Sequence, residues 1–302
     1  MSKILSCCHL MLTTGKHRRL PAKFDSLRPN KRCKVKEATS SGHRPNGMHT
    51  FIDQFKCNVG ESASISGVVD AAHGAARQAG FDAIIYDYSP VATTPEGTLV
   101  IPSHLSHRRV PRDMRYLWCE QKYHQHDPVQ QIALTRSAPF AWSYRQQGRN
   151  TVLARHLKGE HAPVSAYLHD TGLTCGITVP LHRTTGGFAT FTVIQKDAGP
   201  LFVHETRDML QRVGLMGQIM HEAALARFTS KEKRATVAML TPREAECLHY
   251  SAQGYTAKQI ADLISRSVPT ATLHLKSATA KLGARNRAHA VALALHYRLI
   301  EL

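Results

Sequence analysis

No apolar run in the 302-residue sequence approaches the roughly 18–20 residues that a membrane-spanning helix requires. The opening stretch from Ile4 to Leu12 is short and interrupted by Ser6, Cys7, Cys8 and His9, so it makes a poor secretory signal. Seven cysteines, an odd number with no C-x-x-C spacing, argue against a disulfide framework and a zinc ribbon. They favour a reducing, cytoplasmic setting. Nineteen histidines include no H-E-x-x-H pair, so no metal site is expected. Cys175 and His182 flank one strand without a nucleophile elbow or a base-orienting partner, and an enzyme is not expected either. Acidic residues are also short: 22 Asp and Glu face 39 Lys and Arg, a formal charge of +17.

That charge suits an anionic partner, nucleic acid before a membrane surface. It is unevenly spread. Residues 1–47 hold eleven Lys and Arg against Asp25 and Glu37, a net of +9 that leaves +8 for the other 255 residues. Their composition reads as a disordered basic extension. Two explanations stand level: an arm that adds DNA affinity, or a start codon placed too early, with Met48 the true beginning.

Residues 48–228 alternate between helical and strand-like patterns. Ser66–Ala79 and Asp113–His124 read as helices. Phe81–Tyr86, Cys175–Pro180 and Phe188–Val193 read as strands, the last two separated by the turn pair Gly186-Gly187. Val203–Ala226 is a long amphipathic helix whose methionines are expected to pack in a core. Helices on both sides of a mostly antiparallel sheet, an α/β/α sandwich, is the economical architecture. Polar residues 229–239 read as a linker, and the whole chain is of the α+β class.

Residues 240–302 carry dense helix punctuation. Thr241, Pro242 and Glu244 form an N-cap, a first helical position and a capping box, and Gly254 is the stop. Thr256 to Gln259 is a second capping box, with Ile260, Ala261 and Ile264 facing inward. Ser267 caps a third helix ending at Gly283, and Asn286 caps a fourth. Ala271, Leu275, Ala278 and Leu282 form the buried stripe of the third helix, with Thr272, Leu273 and Lys276 on the opposite side. Two short helices joined by a tight turn make a helix-turn-helix, whose exposed third helix would meet base edges in the major groove. Thr256, Lys258, Lys281, Arg285 and Arg287 lie near helix ends, where phosphate contacts form. A plain four-helix bundle with a solvated basic face is the competing explanation.

Leu240-Thr-Pro-Arg-Glu-Ala-Glu, Gly254-Tyr-Thr-Ala-Lys-Gln-Ile-Ala, His274-Leu-Lys and Lys281-Leu-Gly-Ala-Arg-Asn-Arg closely resemble the LuxR-type helix-turn-helix domain. Ala271 departs from the family's usual Val. The resemblance makes Thr272 and Lys276 the expected base readers. Residues 110–192 resemble the autoinducer-binding domain of quorum-sensing LuxR proteins. Pro111, Met114, Trp118, Asp127-Pro128-Val129, Trp142, Gly176 to His182 and Gly187-Phe188 fall at family spacing, and no receiver-domain phosphoacceptor is present.

The resemblance implies a ligand pocket at Val110, Met114, Trp118, Asp127, Trp142 and Thr192. Asp127 would accept from a ligand amide, unless it only caps the helix at Pro128. Trp142 would supply a wall and an indole donor, and Thr192 a hydroxyl. Three positions depart from the family: Met114 stands for Trp, Val110 for Tyr, and Trp118 for Tyr. Met and Val donate no hydrogen bond, so a lactone would leave acceptors unsatisfied at about 1–3 kcal/mol each. The Met/Trp pair is similar to plant-associated, OryR-like LuxR solos, which implies a plant-derived or other non-lactone signal; simple repacking of a lactone pocket is the alternative. No cofactor beyond that signal is expected. The implied partners are double-stranded DNA with a two-fold-symmetric operator, a second copy of the chain, and RNA polymerase as a further candidate. The 203–226 helix and the last helix, at Ala290, Leu293 and Tyr297, are candidate dimer surfaces or plain core. A regulator whose sensor half binds nothing is the remaining rival.

Overall fold

The computed structural model describes residues 47–145, 152–184, 186–196, 198–199, 201–230, 232–233, 235 and 238–301. The basic extension expected over 1–47 lies outside the described residues, except that Gly47 opens helix α1 (Gly47–Glu61). Helix α2 (Ile65–Gln78) follows, capped by the Ser64 hydroxyl, which accepts from Gly67 N at 3.2 Å. Strand β1 (Ala83–Ser89) begins two residues later than the sequence pattern suggests. Phe81 belongs instead to the tight exit from α2, which turns at Gly80 with φ +89°.

After β2 (His104–Arg108) the helix expected over Asp113–His124 is broken. A π-helical turn at Tyr116–Glu120 ends, Lys122 takes a left-handed conformation with φ 60°, and a short α3 (Tyr123–His126) restarts. The break leaves Asp127 extended at the head of α4 (Pro128–Thr135). Next come β3 (Phe140–Ser143), α5 (Ala162–Asp170), β4 (Cys175–His182) and β5 (Phe188–Ile194). The single helix expected over 203–226 is two, α6 (Phe202–Glu205) and α7 (Met209–Arg227). Between them the Thr206 hydroxyl bonds back to Phe202 O at 2.6 Å, a local bond that competes with helix continuation.

The sheet runs β2-β1-β5-β4-β3 with antiparallel neighbours throughout. Strands β1, β4 and β5 are buried on both faces, and the two-residue period divides their side chains. Ile84, Tyr86, Ile177, Val179, Phe191 and Val193 pack against α1, α2 and α7, where Met216 and Met220 are fully buried. Ala83, Ile85, Phe140, Trp142 and Ile194 face the other layer, with residues of α4 and α5. This is the expected α/β/α sandwich.

Four helices complete the chain: α8 (Pro242–Ala252), α9 (Ala257–Leu263), α10 (Val268–Lys281) and α11 (Arg287–His296). Their caps are Thr241, Thr256, Ser267 and Asn286, each accepting from a backbone N–H three residues on. Gly254 and Gly283 take φ +91° and +62° at the ends of α8 and α10. Leu248, Ile260, Ala261, Ala271, Leu275, Ala278, Ala290 and Ala294 form their core. Leu293 and Tyr297, candidates for a dimer surface or plain core, are buried with Val91, Val100 and Ala235 of the same chain. His296 Nε2 adds a bond to Thr93 O at 2.7 Å. No helix among the described residues is long and apolar enough to cross a membrane.

Candidate functional site

The π-turn, the head of α4, helix α5 and strands β1, β3 and β5 converge on one small cavity. Met114, Trp118, Asp127, Trp142 and Thr192 line it together with Ile85, Val129, Gln130, Leu168 and Ile194. Its volume is about 20 Å³, room for about one water, so a larger occupant requires the walls to part. Met114 and Trp118 are buried to 0% and 2% exposure and fill the side nearest the π-turn. Val110 does not reach the cavity. It follows Arg109, whose φ of 58° turns the chain, and it packs half-buried on the rim of the same core.

Strand register explains the sheet side. Trp142 stands opposite Gly176, and a Cβ there would meet Trp142 Cζ2 and Val193 O, both at 2.6 Å. Only glycine lets the indole lie against β4. The indole Nε1 donates to Thr178 Oγ1 at 2.8 Å, and Thr178 shares a hydrogen bond of 2.9 Å with Thr192, its partner across β4 and β5. The donor that the sequence offered to a ligand is thus engaged within the protein.

Asp127 caps α4 and lines the cavity at once. Its Oδ1 accepts from Val129 N at 2.9 Å and from Tyr144 Oη at 2.8 Å. Burial pushes the carboxyl up to about 6, against the lowering effect of those two bonds, and the charge of Asp87 adds to the rise. Asp87 stands opposite Thr190 in the sheet, accepts from Thr190 and from Gln130 Nε2, and is likewise raised by burial to about 6. Tyr144 is raised well above its ordinary value, first by burial and then by Asp127. The carboxyl of Asp127 in the cavity wall and that of Asp87, the partner of Gln130, thus accept from neutral donors.

Tyr144, Thr178, Gln130, Asp87 and Thr190 were not among the residues singled out from sequence. Thr190 and Thr192 two apart in β5 place two hydroxyls on one face, a signal the strand period carried. Cys175 and His182 lie at opposite ends of β4 and on opposite faces, and His182 Nε2 is bonded to Ala133 O and Arg136 O at 3.1 and 2.8 Å.

On the last four helices, Thr272, Lys276 and Arg287 line one groove of about 480 Å³ with Ala257. Leu273 is 65% exposed on α10, and Lys258 and Lys276 are exposed. Two expected phosphate clamps have internal work. Lys281 Nζ bonds the buried Glu244 at 2.8 Å, and Arg287 donates to Ser251 Oγ and Tyr255 O. The Thr256 hydroxyl donates to Gln259 Oε1 at 2.8 Å within its capping box.

Two family models match the chain: an autoinducer-binding domain over residues 64–224, and the LuxR family of bacterial regulatory proteins over residues 238–294. The chain is 33% identical over 192 residues to the HTH-type quorum sensing-dependent transcriptional regulator RpaR of Rhodopseudomonas palustris, covering 64% of this chain and 73% of that protein. It is 29% identical over 204 residues to the transcriptional activator TraR of Agrobacterium vitis, covering 65% and 83%. Among solved structures, Escherichia coli SdiA superposes with a TM-score of 0.52 at 19% identity, over 84% of this chain and 99% of that one.

Proposed function

The chain belongs to the LuxR-type family of regulators with an autoinducer-binding domain, and on that premise we propose that a small molecule at the Asp127 cavity gates its binding to DNA. Its relatives are transcriptional activators and regulators rather than enzymes. The carrying observation is the meeting of Met114, Trp118, Asp127, Trp142 and Thr192, spread over 79 positions of sequence, at one buried cavity. A ligand parting those walls would stabilise the fold by linkage, by about 2.7 kcal/mol at a hundredfold excess over its Kd. The Asp127 carboxylate would take an N–H of the ligand on Oδ2, leaving the Oδ1 cap in place.

The signal we infer is a plant-derived or other non-lactone amphiphile, because Met114 offers no donor, the Trp142 donor is spent on Thr178, and Val110 stands outside. SdiA, which shares the fold, has been solved with octanoyl-rac-glycerol, a compound without a lactone. The output is binding of a homodimer in the cytoplasm to a two-fold-symmetric operator, with half-sites about one helical turn apart. Thr272, Leu273 and Lys276 read bases, while Lys258 and Arg285 contact phosphate. Thermal melting of the full chain with plant leaf extract, beside a panel of acyl-homoserine lactones, tests the signal. Stabilisation by extract alone is expected. Saturable stabilisation by a lactone returns the protein to ordinary quorum sensing. No stabilisation by either marks a regulator that works without ligand. Selection of bound duplexes from a random pool tests the output, and an enriched site lacking two-fold symmetry contradicts it.

A further inference from the structure

Gln130 lines the cavity three residues after Asp127 and is 3% exposed. Its Nε2 donates to Asp87 Oδ2 and Thr190 Oγ1, both at 3.0 Å, while Thr190 gives its own proton to Asp87. That pattern fixes the amide. Turned over, its carbonyl would face a carboxylate and a hydroxyl whose proton is already committed. Oε1 is thus the end turned from the strand network, and no donor among the described residues reaches it. Buried acceptors are nearly always partnered, so an orphan in a cavity wall points to a group supplied from elsewhere.

The other polar groups of the cavity lean the same way. The proton of Trp142 goes to Thr178, that of Tyr144 goes to Asp127, and Thr178 and Thr192 share a bond. Acceptors therefore outnumber uncommitted donors. We propose that Gln130 Oε1 is a specificity-determining acceptor that selects ligands carrying a hydroxyl, beside the N–H taken by Asp127. This rests on the cavity being the ligand site. Asp127 and Gln130 stand at the cap and third position of α4, on the same side of the helix, with Cβ atoms about 5–6 Å apart. The ligand's two donors are accordingly a few bonds apart. A ketone in place of the hydroxyl sets two carbonyl oxygens against each other and is rejected.

The test is calorimetric titration of the full chain with three N-methyl octanamides that differ only at the third carbon, which bears a hydroxyl, hydrogens or a ketone. The same three octanoyl chains on homoserine lactone form a second series. Wild type should bind the hydroxyl member about tenfold more tightly than the unsubstituted one, the value of one ordinary buried hydrogen bond, and the ketone most weakly. In Gln130→Leu the three should fall within about threefold of one another. Should that variant not fold, the wild-type series alone decides. Equal binding of the three by wild type overturns the role of Gln130 while leaving the cavity as a ligand site. No binding of any member of either series overturns this inference, and the ligand site falls with it only where leaf extract also leaves the melting of the full chain unchanged.

Discussion

Glu244 at the start of the DNA-binding half and Asp127 in the sensor half are both buried carboxylates at a helix N-terminus, yet their surroundings differ in kind. Burial raises the Glu244 carboxyl, but bonds from Lys281, Ser277 and the Thr241 backbone outweigh it and hold the group down to about 2. Asp127 has no cation beside it among the described residues; burial wins over its two neutral donors and pushes the group up to about 6. The helix-turn-helix half is thus electrostatically complete as folded. The sensor half buries acceptors that its own donors do not fully compensate, which is the condition under which a donor-bearing ligand adds most.

The largest expected effect lies on the complete side. Glu244→Ala removes the capping box and strands Lys281 and Ser277. It should cost about 2–3 kcal/mol, below the roughly 3–5 of a fully buried pair, because the Lys281 side chain is 39% exposed. Chemical denaturation of the full chain measures it, and a loss under about 1 kcal/mol would show that solvent already compensates Glu244. Next is Gly176→Ala, which drives a methyl into Trp142 and the β5 backbone. A loss of about 1–3 kcal/mol is expected, with collapse of the ligand response.

Asp127→Asn sharpens the contrast by removing charge while keeping a good cap. The stability difference between variant and wild type carries the pH signature of this one group. Its folded value of about 6 lies above the ordinary 3.8, so the folded state holds the proton between those values and wild-type stability falls as pH rises through them. The variant should therefore equal or exceed wild type in stability at neutral pH, and the gap should shrink as pH falls from about 6 towards 3.8. Glu244→Gln should behave oppositely: wild type holds its advantage above 4.5 and loses it as pH falls towards about 2. Differences are essential here. His124 and His221, each lowered by burial to about 4, impose an opposing trend on the whole protein. A difference for Asp127→Asn that does not vary with pH would remove the uncompensated-acceptor argument. Smallest is Lys276→Ala, expected to change stability by under about 0.5 kcal/mol while weakening operator binding by about tenfold.

The same contrast explains what could be read in advance. In the last four helices each signal is local: Thr241 meets Glu244 and Asn286 meets His289 within three residues, so caps and stops are visible in a linear string. The sensor site is assembled across the sheet. Asp127, Trp142 and Thr192 could be singled out through the family pattern, but the use of the Trp142 donor by Thr178 depends on the β3-β4-β5 register, which no short window reveals. Gln130 carries no local signal, because its partner Asp87 lies 43 positions earlier. Val110 packs on the rim of the same core rather than in the cavity wall, after the turn at Arg109, and a resemblance carries a position without that local turn. The ion pair of Lys281 with Glu244 spans 37 residues and shows in no short window either.

The chain has two tryptophans, Trp118 and Trp142, and both line the cavity. Their emission is therefore a readout of that site alone in the full-length protein. The most direct test titrates the active fraction of leaf extract while following tryptophan emission and operator affinity in the same samples. The account predicts a saturable change in emission with the same midpoint as the change in DNA binding, both lost in Gly176→Ala. A change in operator affinity with no change in tryptophan emission would contradict it, because the signal would then be acting somewhere other than the Asp127 cavity.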